Sequence, residues 1–95
     1  MRLSAKELKV IREEVRGLDP SAEIYLYGSR VNDAARGGDI DLMIVSDKLV
    51  FRDILRLRAR IRDRIGLQQL DLVVRRPQEL IEPLATVARE TGVQL

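Results

Sequence analysis

The stretch "YGSRVNDAARGGDIDLMIV", residues 27–45, decides how this chain is read. Gly28-Ser29 ends one apolar run, an arginine-bearing loop follows, and Asp39 and Asp41 flank Ile40 where a second apolar run begins. Residues 40–45 have strand composition, and strand side chains alternate, so Ile40, Leu42 and Ile44 share one face while Asp39, Asp41 and Met43 share the other. Carboxylates two residues apart on a strand have Cβ atoms roughly 6–7 Å apart and repel each other. A countercharge is expected at such a pair, and Mg²⁺, which takes hard oxygen ligands, is the usual one. Taken alone the pair has a second reading, as solvated acids at a sheet edge.

Working outward, Ser4 with Glu7 fits a capping box, and Leu8, Ile11, Val15 and Leu18 recur at helical spacing until Gly17 and Pro20 end the pattern. "EIYLY", residues 23–27, reads as a first strand and "IDLMIV", residues 40–45, as a second. Between about 48 and 65, Phe51, Ile54, Leu55, Ile61 and Ile65 are expected to form the apolar stripe of a helix closed by Gly66. "QLDLVV", residues 69–74, reads as a third strand with Asp71 between Leu70 and Leu72. Pro77 is expected to open a last helix carrying Leu80, Leu84, Val87 and Ala88 and ended by Gly92, with "VQL" as a short final strand. The order implies an α/β (α+β) fold, a small mixed sheet covered by helices, in a single domain over residues 1–95.

Composition removes whole classes of chemistry. The chain has no cysteine and no histidine, so thiol nucleophiles, zinc–thiolate sites and imidazole acid–base catalysis are excluded. No apolar run approaches the roughly 20 residues of a membrane span, and a soluble cytoplasmic protein is expected. A net charge of +2 is too small to argue direct nucleic-acid binding. "RDILRLRARIRDRI" invites that reading, yet Arg52, Arg56, Arg60 and Arg64 fall on the polar side of a helix with Asp53 and Asp63 among them. Arg58 and Arg62 fall beside the apolar stripe, where they either snorkel past the core edge or meet a partner. Tyr25 and Tyr27 are read as packing or edge residues, with no chemistry assigned.

If the second and third strands are neighbours, Asp71 joins Asp39 and Asp41. Three carboxylates on adjacent strands can hold two Mg²⁺ ions, one on a triphosphate and one lowering the pKa of an attacking hydroxyl. The strand end at Gly28-Ser29 offers backbone N–H groups and a hydroxyl to a phosphate, and neither the Walker pattern nor G-x-G-x-x-G is present. Arg30 and Arg36 read either as solvated loop charges or as phosphate ligands.

Gly28-Ser29, nine residues, Asp39-Ile40-Asp41-Leu42 and then a distal Asp71 resemble the nucleotidyltransferases of the DNA polymerase beta superfamily. Within it the chain looks like the minimal nucleotidyltransferase (MNT) proteins, over nearly its whole length. The resemblance implies that Asp39, Asp41 and Asp71 bind the metal ions and carry catalysis, and that Gly28 and Ser29 hold the ATP phosphates with Arg30. Family members often carry a Gly-Ser-Arg-Ala-Arg-Gly run. Here Val31-Asn32 follow Arg30, and Arg36 is the candidate for the second arginine.

The resemblance further implies AMP transfer from ATP with Mg²⁺ to a protein hydroxyl. MNT chains are commonly antitoxins paired with a HEPN-domain RNase toxin, and they adenylylate a tyrosine near its active site. A chain without histidine cannot hold the toxin's arginine–histidine motif, so the partner is expected to be a separate polypeptide from a neighbouring gene, in a prokaryotic cytoplasm and a hetero-oligomer. The rival readings are an antitoxin that acts by docking alone and a small-molecule transferase of the aminoglycoside-modifying kind.

Overall fold

The computed structural model describes residues 3–31, 39–66 and 68–95, with Ser29 described by its backbone alone. Helix α1, Ala5–Leu18, begins at the expected capping box: Ser4 Oγ accepts from the Glu7 N–H at 3.0 Å, and Glu7 Oε1 accepts from the Ser4 N–H at 2.8 Å. Strand β1, Glu23–Tyr27, runs into a short 3₁₀ turn, Gly28–Val31. Strand β2 is Ile40–Val45, helix α2 is Phe51–Ile65, and strand β3 is Leu70–Arg75, one residue later than expected. Helix α3, Pro83–Thr91, and the two-residue strand β4, Val93–Gln94, close the chain.

The expected last helix is two elements. Pro77–Glu79 forms only a 3₁₀ turn, and α3 restarts at Pro83. The cause is Pro83 itself: it has no N–H to bond to the preceding turn and forces Glu82 into extended backbone (φ −71°, ψ 156°), while proline suits a first helical position.

The four strands form one mixed sheet in the order β3-β2-β1-β4. β1 is antiparallel to β2 and β4, and β2 is parallel to β3, a pairing that needs a crossover, which α2 supplies. Alternation along the strands then sends side chains into two cores. Ile24, Leu26, Ile40, Leu42, Ile44, Leu70 and Leu72 meet α1 and α2 on one face. Tyr25, Met43 and Val45 meet Ala85 and Ala88 of α3 on the other. Among the described residues no helix is long and apolar enough to cross a membrane.

The buried stripe of α2 also differs from expectation. Leu57 and Ile61 are fully buried, with Ile54 and Ile65 packed beside them, whereas Phe51 and Leu55 stand out in solvent. On the polar side, Arg60 Nε donates to Glu14 Oε1 at 2.6 Å and Arg64 Nη1 to Glu14 Oε2 at 2.9 Å, so part of the arginine face ties α2 to α1.

At the end of the sheet where β2 and β3 finish, Asp19 is buried after α1. Its Oδ2 accepts from Ser46 Oγ at 2.6 Å and its Oδ1 from the Ser21 N–H at 3.0 Å. Arg76 Nη1 donates to the Ser46 carbonyl at 2.6 Å, so α1, β2 and β3 are joined there. The Ser46 hydrogen bond, with the Ser21 N–H and the Lys48 charge, outweighs burial and holds the Asp19 carboxyl below the usual range. A lowered carboxyl pKa stabilises the fold above the unfolded value, and that stability is lost as pH falls through the folded value. Asp19→Ala is therefore expected to cost about 1–3 kcal/mol at neutral pH by stranding Ser46 and Ser21 donors. Urea unfolding across pH checks this: the gap between wild type and Asp19→Asn should narrow on acidification.

Candidate active site

The register of the sheet assembles the site. Tyr27 of β1 is opposite Asp41 of β2, and Asp41 is opposite Asp71 of β3, which makes one row across three neighbouring strands. Residues opposite one another point to the same face, here the face that α3 covers lower down at Tyr25 and Met43. The row lies where β1 ends and β2 and β3 begin.

Asp41 and Asp71 thus sit on adjacent strands about 4.8 Å apart, closer than two acids along one strand. The Asp41 carboxyl is pushed above the ordinary range by burial first, then by the Asp71 charge, a hydrogen bond with Asp71 and, last, the Asp39 charge. The acids brought together are Asp41 and Asp71, with Asp39 exposed just before β2 as a weaker neighbour. Among the described residues no three acids stand close enough to form a ready-made metal cage. The donor set still suits a divalent ion: paired hard oxygens, and among the described residues no cation lowers the Asp41 pKa.

Gly28 has φ +77°, a region that favours glycine, and a Cβ there would overlap Asp41 Oδ2. The close approach that glycine permits is therefore made, in this structure, by the Asp41 carboxylate. Arg30 extends toward α1. Its Nη2 donates to Gln68 Oε1 at 2.8 Å, Gln68 Nε2 donates to Glu7 Oε2 at 2.6 Å, and Glu7 is the capping residue of α1. The turn after β1 is thereby tied to the first turn of α1. Arg36 and the Ser29 side chain lie outside the described residues.

Tyr27 is the residue that sequence reading passed over. Burial, then the charges of Asp41 and Asp71, raise its pKa, with Arg75 opposing them, so its hydroxyl keeps its proton beside the acids. The signal lay in its place as the last strand residue before Gly28, but only the β1–β2 register turns that place into proximity. Met43, which strand alternation places on the face of the acids, is fully buried beneath α3. Arg58 belongs to α2 on the opposite face, where its Nε donates to the Leu70 carbonyl at 3.2 Å, closing the choice in favour of the core edge. The groove beside α3, about 720 Å³ and lined by Tyr25, Leu80, Arg89 and Gly92 among others, contains none of the acids.

These geometries set two expected outcomes. A raised carboxyl pKa means that the fold loses stability as pH rises from the unfolded value through the folded one. Asp41→Asn should therefore raise stability at neutral pH by roughly 0.5–2 kcal/mol, with the gain vanishing in acid, as thermal unfolding at several pH values would read. Gly28→Ala should cost about 1–3 kcal/mol, and part of that loss should disappear in an Asp41→Ala background, where the overlap is gone and only the positive φ remains.

A family model described as a nucleotidyltransferase domain matches residues 8–90, a span that contains β1, the Gly28 turn, all three acids and α3 up to its penultimate residue. A search of curated proteins found no match. A mixed four-stranded sheet with three helices, carrying paired acids at the head of two parallel strands, accords with that match, and the chain belongs to the nucleotidyltransferase domain family.

Proposed function

We propose that this chain transfers AMP from ATP, with Mg²⁺, to a tyrosine hydroxyl of a separate HEPN-domain RNase toxin, and so serves as the antitoxin of a prokaryotic cytoplasmic pair. The observation that carries the reading is the Tyr27–Asp41–Asp71 row, in which two carboxylates are held together against their own repulsion. The family match supports nucleotidyl transfer in general, and the Gly-Ser and Asp-x-Asp spacing supports the narrower MNT reading.

Asp41 and Asp71, with Asp39 beside them, would hold the ion, which supplies charge neutralisation at the triphosphate and activation of the attacking hydroxyl. The rest falls to the chain itself. The backbone of Gly28 borders Asp41, and the turn that it opens with Ser29 offers N–H groups to phosphate oxygens. Tyr27, the residue before Gly28, walls the same β1 side of Asp41 with a neutral hydroxyl, and Asp71 of β3 flanks the other. The acceptor oxygen bonds to the α-phosphorus as its proton passes to a carboxylate of the Asp41–Asp71 pair, the bond from the α-phosphorus to the bridging oxygen breaks, and pyrophosphate leaves with that electron pair. In this reading the acceptor hydroxyl arrives on another polypeptide, whose docking supplies the positioning on which the rate of such a transfer depends.

Incubation with ATP labelled at the α-phosphate, alone and with the neighbouring gene product, tests the reading. Label should appear on the partner's tyrosine, and Asp41→Asn or Asp71→Asn should reduce it on the order of 10²–10³-fold. Toxin neutralised without label would leave docking alone as the function, and turnover onto a free small molecule would make the chain a small-molecule transferase. Calorimetry supplies a second check: with EDTA in place of Mg²⁺, ATP affinity should fall, since uncompensated carboxylates repel a triphosphate.

A further inference from the structure

Helix α2 carries an apolar surface that the fold does not use. Val50, Phe51 and Leu55 are 48%, 72% and 48% exposed. Phe51, Leu55 and the exposed Ala59 follow at four-residue intervals, so they form one ridge along the helix. That ridge is on the flank away from α1, since Arg60, which binds Glu14 of α1, lies on the opposite side of the helix from Phe51. It runs beside β3, the outer strand of the sheet, which Arg58 reaches through the Leu70 carbonyl.

Charge decides what fits there. Arg52 and Arg56 border the ridge at the same four-residue spacing, are exposed, and make no hydrogen bond or ion pair among the described residues, unlike Arg60 and Arg64. Of the acids on α2, Asp53 is already occupied by the Val50 N–H at 2.9 Å, and Asp63 stands at the far end of the row, one turn beyond Ala59 and about two or three turns from Leu55 and Phe51. A second copy of this chain packed ridge to ridge would set Arg52 and Arg56 against their own kind, which electrostatic complementarity disfavours. The small Ala59 leaves a shallow groove after two large side chains, the relief into which another helix packs.

We propose that the outer ridge of α2, Phe51-Leu55-Ala59 bordered by Arg52 and Arg56, is the docking surface for an acidic amphipathic helix of a partner protein. The helix presents apolar residues at three- or four-residue spacing to Phe51 and Leu55 and carboxylates to the two arginines. That this helix belongs to the acceptor rests on the transfer reading above; the surface itself does not.

Fluorescence anisotropy with two synthetic helical peptides tests the surface without nucleotide. Both carry leucines at four-residue spacing, one flanked by glutamates and the other by lysines. The glutamate peptide should bind and weaken as salt rises, and the lysine peptide should not. Phe51→Asp, and separately Arg52→Glu with Arg56→Glu, should each weaken binding about tenfold or more, at exposed positions where folding is unaffected. Absence of binding, or equal binding of both peptides, overturns the proposal. So does self-association in sedimentation that Phe51→Asp abolishes, which would make the occupant a second copy. Phe51-dependent binding to anionic phospholipid vesicles in place of peptide would make it a membrane. Peptide binding without labelled AMP on any partner would remove the transfer reading and leave this surface standing.

Discussion

Two carboxylates placed at the same level of adjacent parallel strands are the constraint around which this molecule is organised. Parallel pairing of β2 and β3 in the Asp41–Asp71 register puts like charges side by side in a partly buried position. That register is secured by everything that does not carry charge: Ile40 with Leu70 and Leu42 with Leu72 pair on the opposite face, buried beneath α1 and α2. A slip of one residue would move the acids into that core and the leucines into water. The hydrophobic pattern therefore fixes the electrostatic one.

The turn after β1 is held from two directions. Gly28 lies against the Asp41 carboxylate, and Arg30 reaches through Gln68 to Glu7 at the start of α1. Glu7 is half-buried there; burial would raise its pKa, but the Ser4 and Gln68 hydrogen bonds and the Arg30 charge together bring it below the usual range. A helix cap and a candidate phosphate loop thus share one carboxylate, and the orientation of α1 is felt at the turn.

Much of this was legible in the sequence because it depends on neighbours in the chain. The Ser4–Glu7 cap, the two strands at 23–27 and 40–45, and the alternation that separates Asp41 from Leu42 are local rules, and they hold. What was not legible depends on pairing. Strand order decides that Asp71 is the closer companion of Asp41, and the antiparallel register decides that Tyr27 joins them; neither is written at any one position. Helix phase misled at Phe51 and Leu55, since an apolar residue on a helix is equally consistent with a core and with a surface meant for another molecule. The break at Pro83 was a local signal overridden by the apolar spacing on either side of it.

The Asp19–Ser46–Arg76 hydrogen bonds stand at the far end of the same strands whose near end carries the acid row. Cohesion and chemistry are therefore separated along the length of the sheet rather than mixed within it. Substitutions in the acid row remodel one extremity while the other goes on fastening helix to strand, so such a scaffold can drift toward a different acceptor, or lose catalysis altogether, and still remain folded.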